Sequence, residues 1–121
     1  MKIGIVEHRY SIKGAEDTKF LDGTFIPNFN SKGIEVRIET TLEDLGDTND
    51  YEAILLHPKR DLMQPNKRVI LEKNPKARWA FSTYYGTVNR TNYDEPIVNY
   101  KEMDLIHDFM LGRAEIETKK R

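Results

Sequence analysis

Few side chains in this 121-residue chain have types and positions suited to chemistry, and the clearest are a glutamate and two histidines. Glu7 and His8 close the apolar run of KIGIVEHRY (2–10), and His57 closes that of YEAILLHP (51–58). Imidazole changes charge near neutral pH and offers a nitrogen lone pair. Beside a carboxylate it suits proton handling, or a transition metal better than magnesium. The plainer role for His57 is to cap a loop by hydrogen bonding, with Pro58 stiffening the exit. For Glu7 the plainer role is the first polar residue after a buried strand. Ser82 and Thr83 close a further apolar run, ARWAFST (77–83), and Asn99 lies near the end of PIVNY (96–100). No spacing matches a specific metal or cofactor motif, so neither a metal nor a cofactor is assigned. The chain has no cysteine, which excludes disulfides, thiol nucleophiles and thiolate metal sites and fits a reducing cytoplasm.

The remaining charges and aromatics point to surfaces. Lys59, Arg60, Lys67 and Arg68 would make a phosphate or nucleic-acid patch, with Tyr84 and Tyr85 as stacking partners. Nineteen basic against twenty acidic residues give a net charge of -1, which argues against nucleic acid and for a solvated face. His8 and Arg9 invite an anion, but a solvated loop explains them as well. Trp79 and Phe81 alternate to one side of a strand and belong in a core. Tyr84 and Tyr85 follow that strand and, with Lys101, are expected at a protein contact, where aromatics are enriched. No apolar stretch approaches the roughly 20 residues that span a bilayer, so no membrane contact is expected. MKIGIVEH is too short for a secretory leader.

These residues need a scaffold. The segments 2–8 and 51–57 are continuous apolar runs of the kind buried in a parallel sheet. IEVRIET (34–40) alternates Ile34, Val36 and Ile38 with charged residues, as an edge strand does. Segments 77–83 and 96–100 complete five strands, with Pro96 tolerated at the start of the last. Between them, Phe20, Leu21, Phe25 and Ile26 have helical spacing over 15–26, limited by Gly23 and Pro27. Thr41 caps a short LEDL turn. PNKRVILEKN (65–74) opens on Pro65 and closes at Asn74-Pro75. Met103, Ile106, Phe109 and Met110 make the clearest stripe, predicting a helix over 101–111 that continues through Gly112 into RAEIE. Residues 84–95 have no helical period and read as a loop. Alternation of strands and helices predicts one α/β domain over 1–117, a mainly parallel sheet with helices on both faces, and a charged tail over 118–121.

With IGIVEHR as a first strand, EAILLHP as a third, WAFST as a fourth and PIVNYKEMDLIHDF as a fifth strand and last helix, the chain resembles the receiver domain of two-component response regulators. The resemblance covers the whole chain and implies a flavodoxin-like fold with strand order 2-1-3-4-5. It implies a pocket at the C-terminal edge of the sheet made by Glu7, His8, His57, Ser82, Thr83 and Asn99. There Glu7 matches the first acid, His8 stands for the second, and His57 stands for the phospho-accepting aspartate. Ser82 or Thr83 matches the hydroxyl, and Asn99 stands for the lysine, with Lys101 two residues on. Phosphoryl transfer needs carboxylates for a hard magnesium ion, an aspartate nucleophile and a lysine. The resemblance therefore implies a non-catalytic regulatory domain that binds another protein, or a second copy of itself, through Tyr84, Tyr85 and the last helix. The other reading is a small enzyme or ligand-binding protein centred on Glu7, His8 and His57, which converge if the first and third strands are neighbours.

Overall fold

Five segments rich in branched and aromatic residues pair into a single parallel sheet in the computed structural model. They are β1 (Lys2–Val6), β2 (Glu35–Glu39), β3 (Ala53–Leu56), β4 (Arg78–Thr83) and β5 (Ile97–Asn99), in the spatial order β2-β1-β3-β4-β5. This is the flavodoxin-like order expected from the sequence. The structure describes residues 1–59, 62–73 and 78–119. The basic residue Arg60 and the Asn74-Pro75 stop signal lie outside them, as do Ala77 and the last two residues. β3 is buried at every position, as its unbroken apolar run requires. β2 lies at the edge, with Ile38 buried and Glu35 and Arg37 in solvent.

Strand alternation divides the core into two layers. Ile3, Ile5, Leu55 and Val98 meet Leu21, Phe25, Phe29, Tyr100 and Ile106 on one face. Val6, Ile54, Leu56 and Phe81 meet Leu42, Leu45, Tyr51 and Ile70 on the other. The first layer is covered by a continuous helical rod: α1 (Glu16–Phe20), a π-helical segment (Leu21–Phe25) and α2 (Ile26–Ser31). The sequence predicted that Gly23 and Pro27 would stop this helix near residue 26. Instead it runs five residues further. Pro27 sits in the first turn of α2, directly after the π turn, whose wider hydrogen-bond spacing accommodates a residue with no N–H to donate.

The second layer is covered by α3 (Leu42–Leu45) and α4 (Met63–Lys73), while α5 (Met103–Met110) joins the first. Thr41 caps α3 as expected, its Oγ1 accepting from the Asp44 amide at 3.2 Å. The expected stripe of α5 is buried at Ile106, Phe109 and Met110. The helix does not continue into RAEIE. Gly112 takes φ +75°, its amide donates to Phe109 O, and the Arg113 amide donates to Asp108 O, the paired bonds of a glycine-terminated helix end. Residues 84–95 form a loop with one short 3₁₀ turn, Arg90–Asn92. Thus β4 and β5 are joined without a crossover α-helix. Packing also extends into the segment read as a tail: Thr118 is buried and the Lys119 amide donates to Tyr93 O at 2.7 Å.

Candidate metal centre

Parallel pairing of β1 and β3 brings the first pair of functional residues together. Val6 is in register with Leu56, so Glu7 and His57 emerge side by side. Their amides extend the ladders, Glu7 N–H donating to Glu39 O at 2.9 Å and His57 N–H to Val6 O at 2.8 Å. The backbone under both side chains is therefore as fixed as the sheet. Glu7 Oε2 faces His57 Nδ1. Beyond each other, neither atom has a hydrogen-bond partner among the described residues. His8 follows Glu7, and its ring lies edge-on to that of His57 with centroids 4.1 Å apart. His8 Nδ1 is also buried and has no hydrogen-bond partner among the described residues. One ligand atom each from Glu7, His8 and His57 can be chosen so that all lie within 4.8 Å of one another.

Glu7 is 1 % exposed. Burial pushes its carboxyl above the usual carboxylate range; the His57 contact opposes that shift, and the neighbouring Asp17 carboxyl adds to it. His8 is displaced the other way. Burial first, then the positive charges of His57, Lys59 and Arg9, favour its neutral ring. A neutral imidazole with a free nitrogen lone pair is the form that coordinates metals.

A second ring of side chains holds the first. Asp17 is buried and accepts from Arg9 Nε at 2.8 Å, fixing the loop that carries His8 to the start of α1. Tyr100 is fully buried. Its hydroxyl is pushed well above the ordinary tyrosine range, by burial first and then by the nearby Glu7, and accepts from Ser82 Oγ at 3.1 Å. Ser82 therefore reaches the site only through Tyr100. Asn99 is engaged elsewhere: Nδ2 donates to Tyr84 O at 2.9 Å and Gly86 O at 3.2 Å, and Oδ1 accepts from the Lys101 amide. Thr83 is half-buried beside a cavity further along the sheet edge. The six positions grouped by the receiver resemblance thus divide into a triad, a hydroxyl linked through Tyr100, a loop brace and a cavity wall.

Neither Asp17 nor Tyr100 stands out in the sequence. Asp17 looks like an ordinary acid in a helix first turn, and Tyr100 like the polar end of a strand. Of the expected contact residues, Tyr84 is half-buried against Phe20 and lies under Lys101 Nζ, 4.4 Å from its ring centroid. Tyr85 is exposed, with the Arg9 guanidinium over its ring. The basic residues read from the sequence as a solvated face are partly neutralised, because Lys67 pairs with Glu95 at 2.5 Å. His107 is a helix-face residue edge-on to Phe29. Among the described residues, no helix is long and apolar enough to cross a membrane. Compared with known proteins, the chain matches no family model, no curated protein and no solved structure.

Proposed function

We propose that this domain binds a divalent transition-metal ion, such as zinc, at the C-terminal edge of its sheet, with Glu7, His8 and His57 as ligands. The observation that carries this reading is the convergence of Glu7, His8 and His57, whose ligand atoms can lie within 4.8 Å of one another, together with a buried atom on each (Glu7 Oε2, His8 Nδ1, His57 Nδ1) that has no hydrogen-bond partner outside the triad among the described residues. Buried polar atoms are rarely left unpaired without a reason, and a bound ion would satisfy all three at once. Two imidazoles and one carboxylate suit zinc and its neighbours, whereas magnesium prefers an all-oxygen shell. Three protein ligands leave a coordination position for water or a small ligand. In place of the phosphoryl chemistry of a receiver, the same strand ends would hold an ion. The outer residues fit this role: Asp17 lies against Glu7 while Arg9 holds it, and such supporting contacts fix ligand orientation.

A protein-binding role through Tyr84, Tyr85 and Lys101 draws less support, because Tyr84 is half-buried under Lys101 Nζ and the exposed Tyr85 has the Arg9 guanidinium over its ring. The deciding experiment is calorimetric titration of chelator-treated protein with zinc and, separately, magnesium. One zinc ion per chain should bind with a Kd of about 1 μM or tighter, near −8 kcal/mol. Magnesium should give no saturable heat. Absence of saturable zinc binding, or unchanged affinity in a Glu7→Gln/His57→Gln double variant, would refute the assignment.

A further inference from the structure

The connection between β4 and β5 leaves an opening that the metal triad does not use. Each of the other three connections in the sheet carries an α-helix, and this one has only a 3₁₀ turn. Beneath it lies a cavity of about 520 Å³, within the size range of small-molecule sites. Phe81 and Ile97 are apolar surface from the two strands, Met63 comes from α4, and Tyr85, Tyr93 and Asp94 come from the connection itself.

We infer that this cavity is a binding site for a small planar aromatic cation. Three observations support the class. The first is the exposed aromatic surface. Among the described residues, five large hydrophobic side chains are exposed, and two of them, Tyr85 at 52 % and Tyr93 at 48 %, belong to this cavity. Tyr85 already carries the Arg9 guanidinium over its ring, whereas among the described residues no cation lies over Tyr93; a flat ligand stacked on the Tyr93 ring gains contact, and the π face favours a cation. The second is charge. Among the described residues no lysine or arginine lines the cavity, while Asp94 and Glu95 do. Glu95 is held by Lys67 at 2.5 Å and Gln64 at 3.2 Å. Asp94 is exposed and has no ion-pair partner among the described residues. An incoming cation therefore meets one carboxylate that no described residue neutralises.

The third observation is that the wall is fixed in advance. Asn99 Nδ2 holds Tyr84 O and Gly86 O, Arg90 pairs with Glu102, and the Lys119 amide holds Tyr93 O. A preformed wall reduces the ordering cost of binding. The site is distinct from the metal triad, although Pro58 lines it and directly follows His57.

The test uses the full chain with excess chelator, so that no bound metal contributes. Benzamidine is the planar aromatic cation, benzoate the planar anion and cyclohexylamine the non-planar cation. Binding is followed by amide NMR shifts at Thr87, Val88 and Tyr93, with the fluorescence of Trp79, the single tryptophan, as a check on folding. Benzamidine should give saturable shifts confined to this wall, with affinity about fivefold or more above that of benzoate and of cyclohexylamine. Asp94→Asn, a change at an exposed position, should weaken benzamidine by about fivefold and remove most of its advantage over benzoate. Tyr93→Ala should weaken it further while leaving Trp79 emission unchanged. Absence of saturable shifts, equal affinity for benzamidine and benzoate, or an Asp94→Asn variant that binds benzamidine as well as wild type would overturn the inference.

Discussion

Replacing Glu7 by glutamine should raise the stability of the metal-free protein and abolish its stabilisation by zinc. Glu7 Oε2 is buried against His57 Nδ1 and, among the described residues, has no other hydrogen-bond partner, although a carboxylate oxygen can accept more than one donor. Glutamine keeps the shape, removes the buried charge and offers N–H groups to the adjacent Asp17 carboxyl. The gain should be about 1 kcal/mol at pH 8, the size of one poorly satisfied buried polar group. Its pH dependence has a definite sign. The folded-state pKa of Glu7 lies above its ordinary value of 4.5, so the folded protein holds this proton more tightly than the unfolded chain. That contribution is complete below pH 4.5 and is lost as pH rises through the folded-state pKa. The variant should therefore match wild type near pH 4.5 and exceed it at pH 8. With an unfolding entropy of about 2.1 cal/mol/K per residue, each kcal/mol moves the Tm of a chain this long by about 4 °C.

Zinc should reverse the order of the two proteins. At a free concentration about 100-fold above Kd, binding should stabilise wild type by about 2.7 kcal/mol, a shift of about 11 °C. Loss of a direct ligand should weaken binding at least as much as loss of a supporting contact, about 100-fold, leaving the variant a shift under about 2 °C. The assay is scanning calorimetry at several pH values, with chelator and with zinc. A Glu7→Gln protein that is less stable than wild type in chelator at pH 8, or that keeps the full zinc shift, would refute the reasoning. A merely structural glutamate would not produce opposite signs in the two conditions.

Three further outcomes test the packing around the site. Gly4→Ala should cost about 1–3 kcal/mol in chemical denaturation, because the added methyl would lie 2.8 Å from Leu45 Cδ2 and 3.0 Å from Tyr51 Cδ1; an unchanged midpoint would mean that the Leu45 side chain moves freely. Tyr100→Phe should cost about 1–2 kcal/mol by stranding the buried Ser82 hydroxyl, and adding Ser82→Ala should recover most of the loss; purely additive losses would contradict the pairing. Thr41→Ala should cost about 1 kcal/mol through loss of the α3 cap, with Thr41→Ser near wild type; equal loss in both would remove the cap from the explanation.

The fold was legible in the chain because strand burial is written locally. The unbroken run Ala53–Leu56 could only be a central strand, and the alternation of Val36 and Ile38 with Arg37 and Glu39 marked an edge. Alternation of strands and helices implied parallel, right-handed βαβ units, and the resemblance to receiver domains supplied the order 2-1-3-4-5 that brings Glu7 beside His57. Tertiary structure decided what local patterns do not contain. Asp17, ten residues from Glu7, is drawn beside it only because α1 folds back over the sheet, and Tyr100 reaches the site only because β5 carries its ring into the first core layer. Pro27, a helix breaker by local rule, was overridden by the burial of Phe25 at the end of a π turn and of Phe29 one turn further on. Asn99, Ser82 and Thr83 were placed at one sheet edge by register, but packing gave each a different neighbour, because side-chain direction and loop path depend on contacts across the whole domain. The cavity beside Tyr93 exists because no helix fills the β4–β5 connection, and its walls come from segments that only the completed sheet brings together.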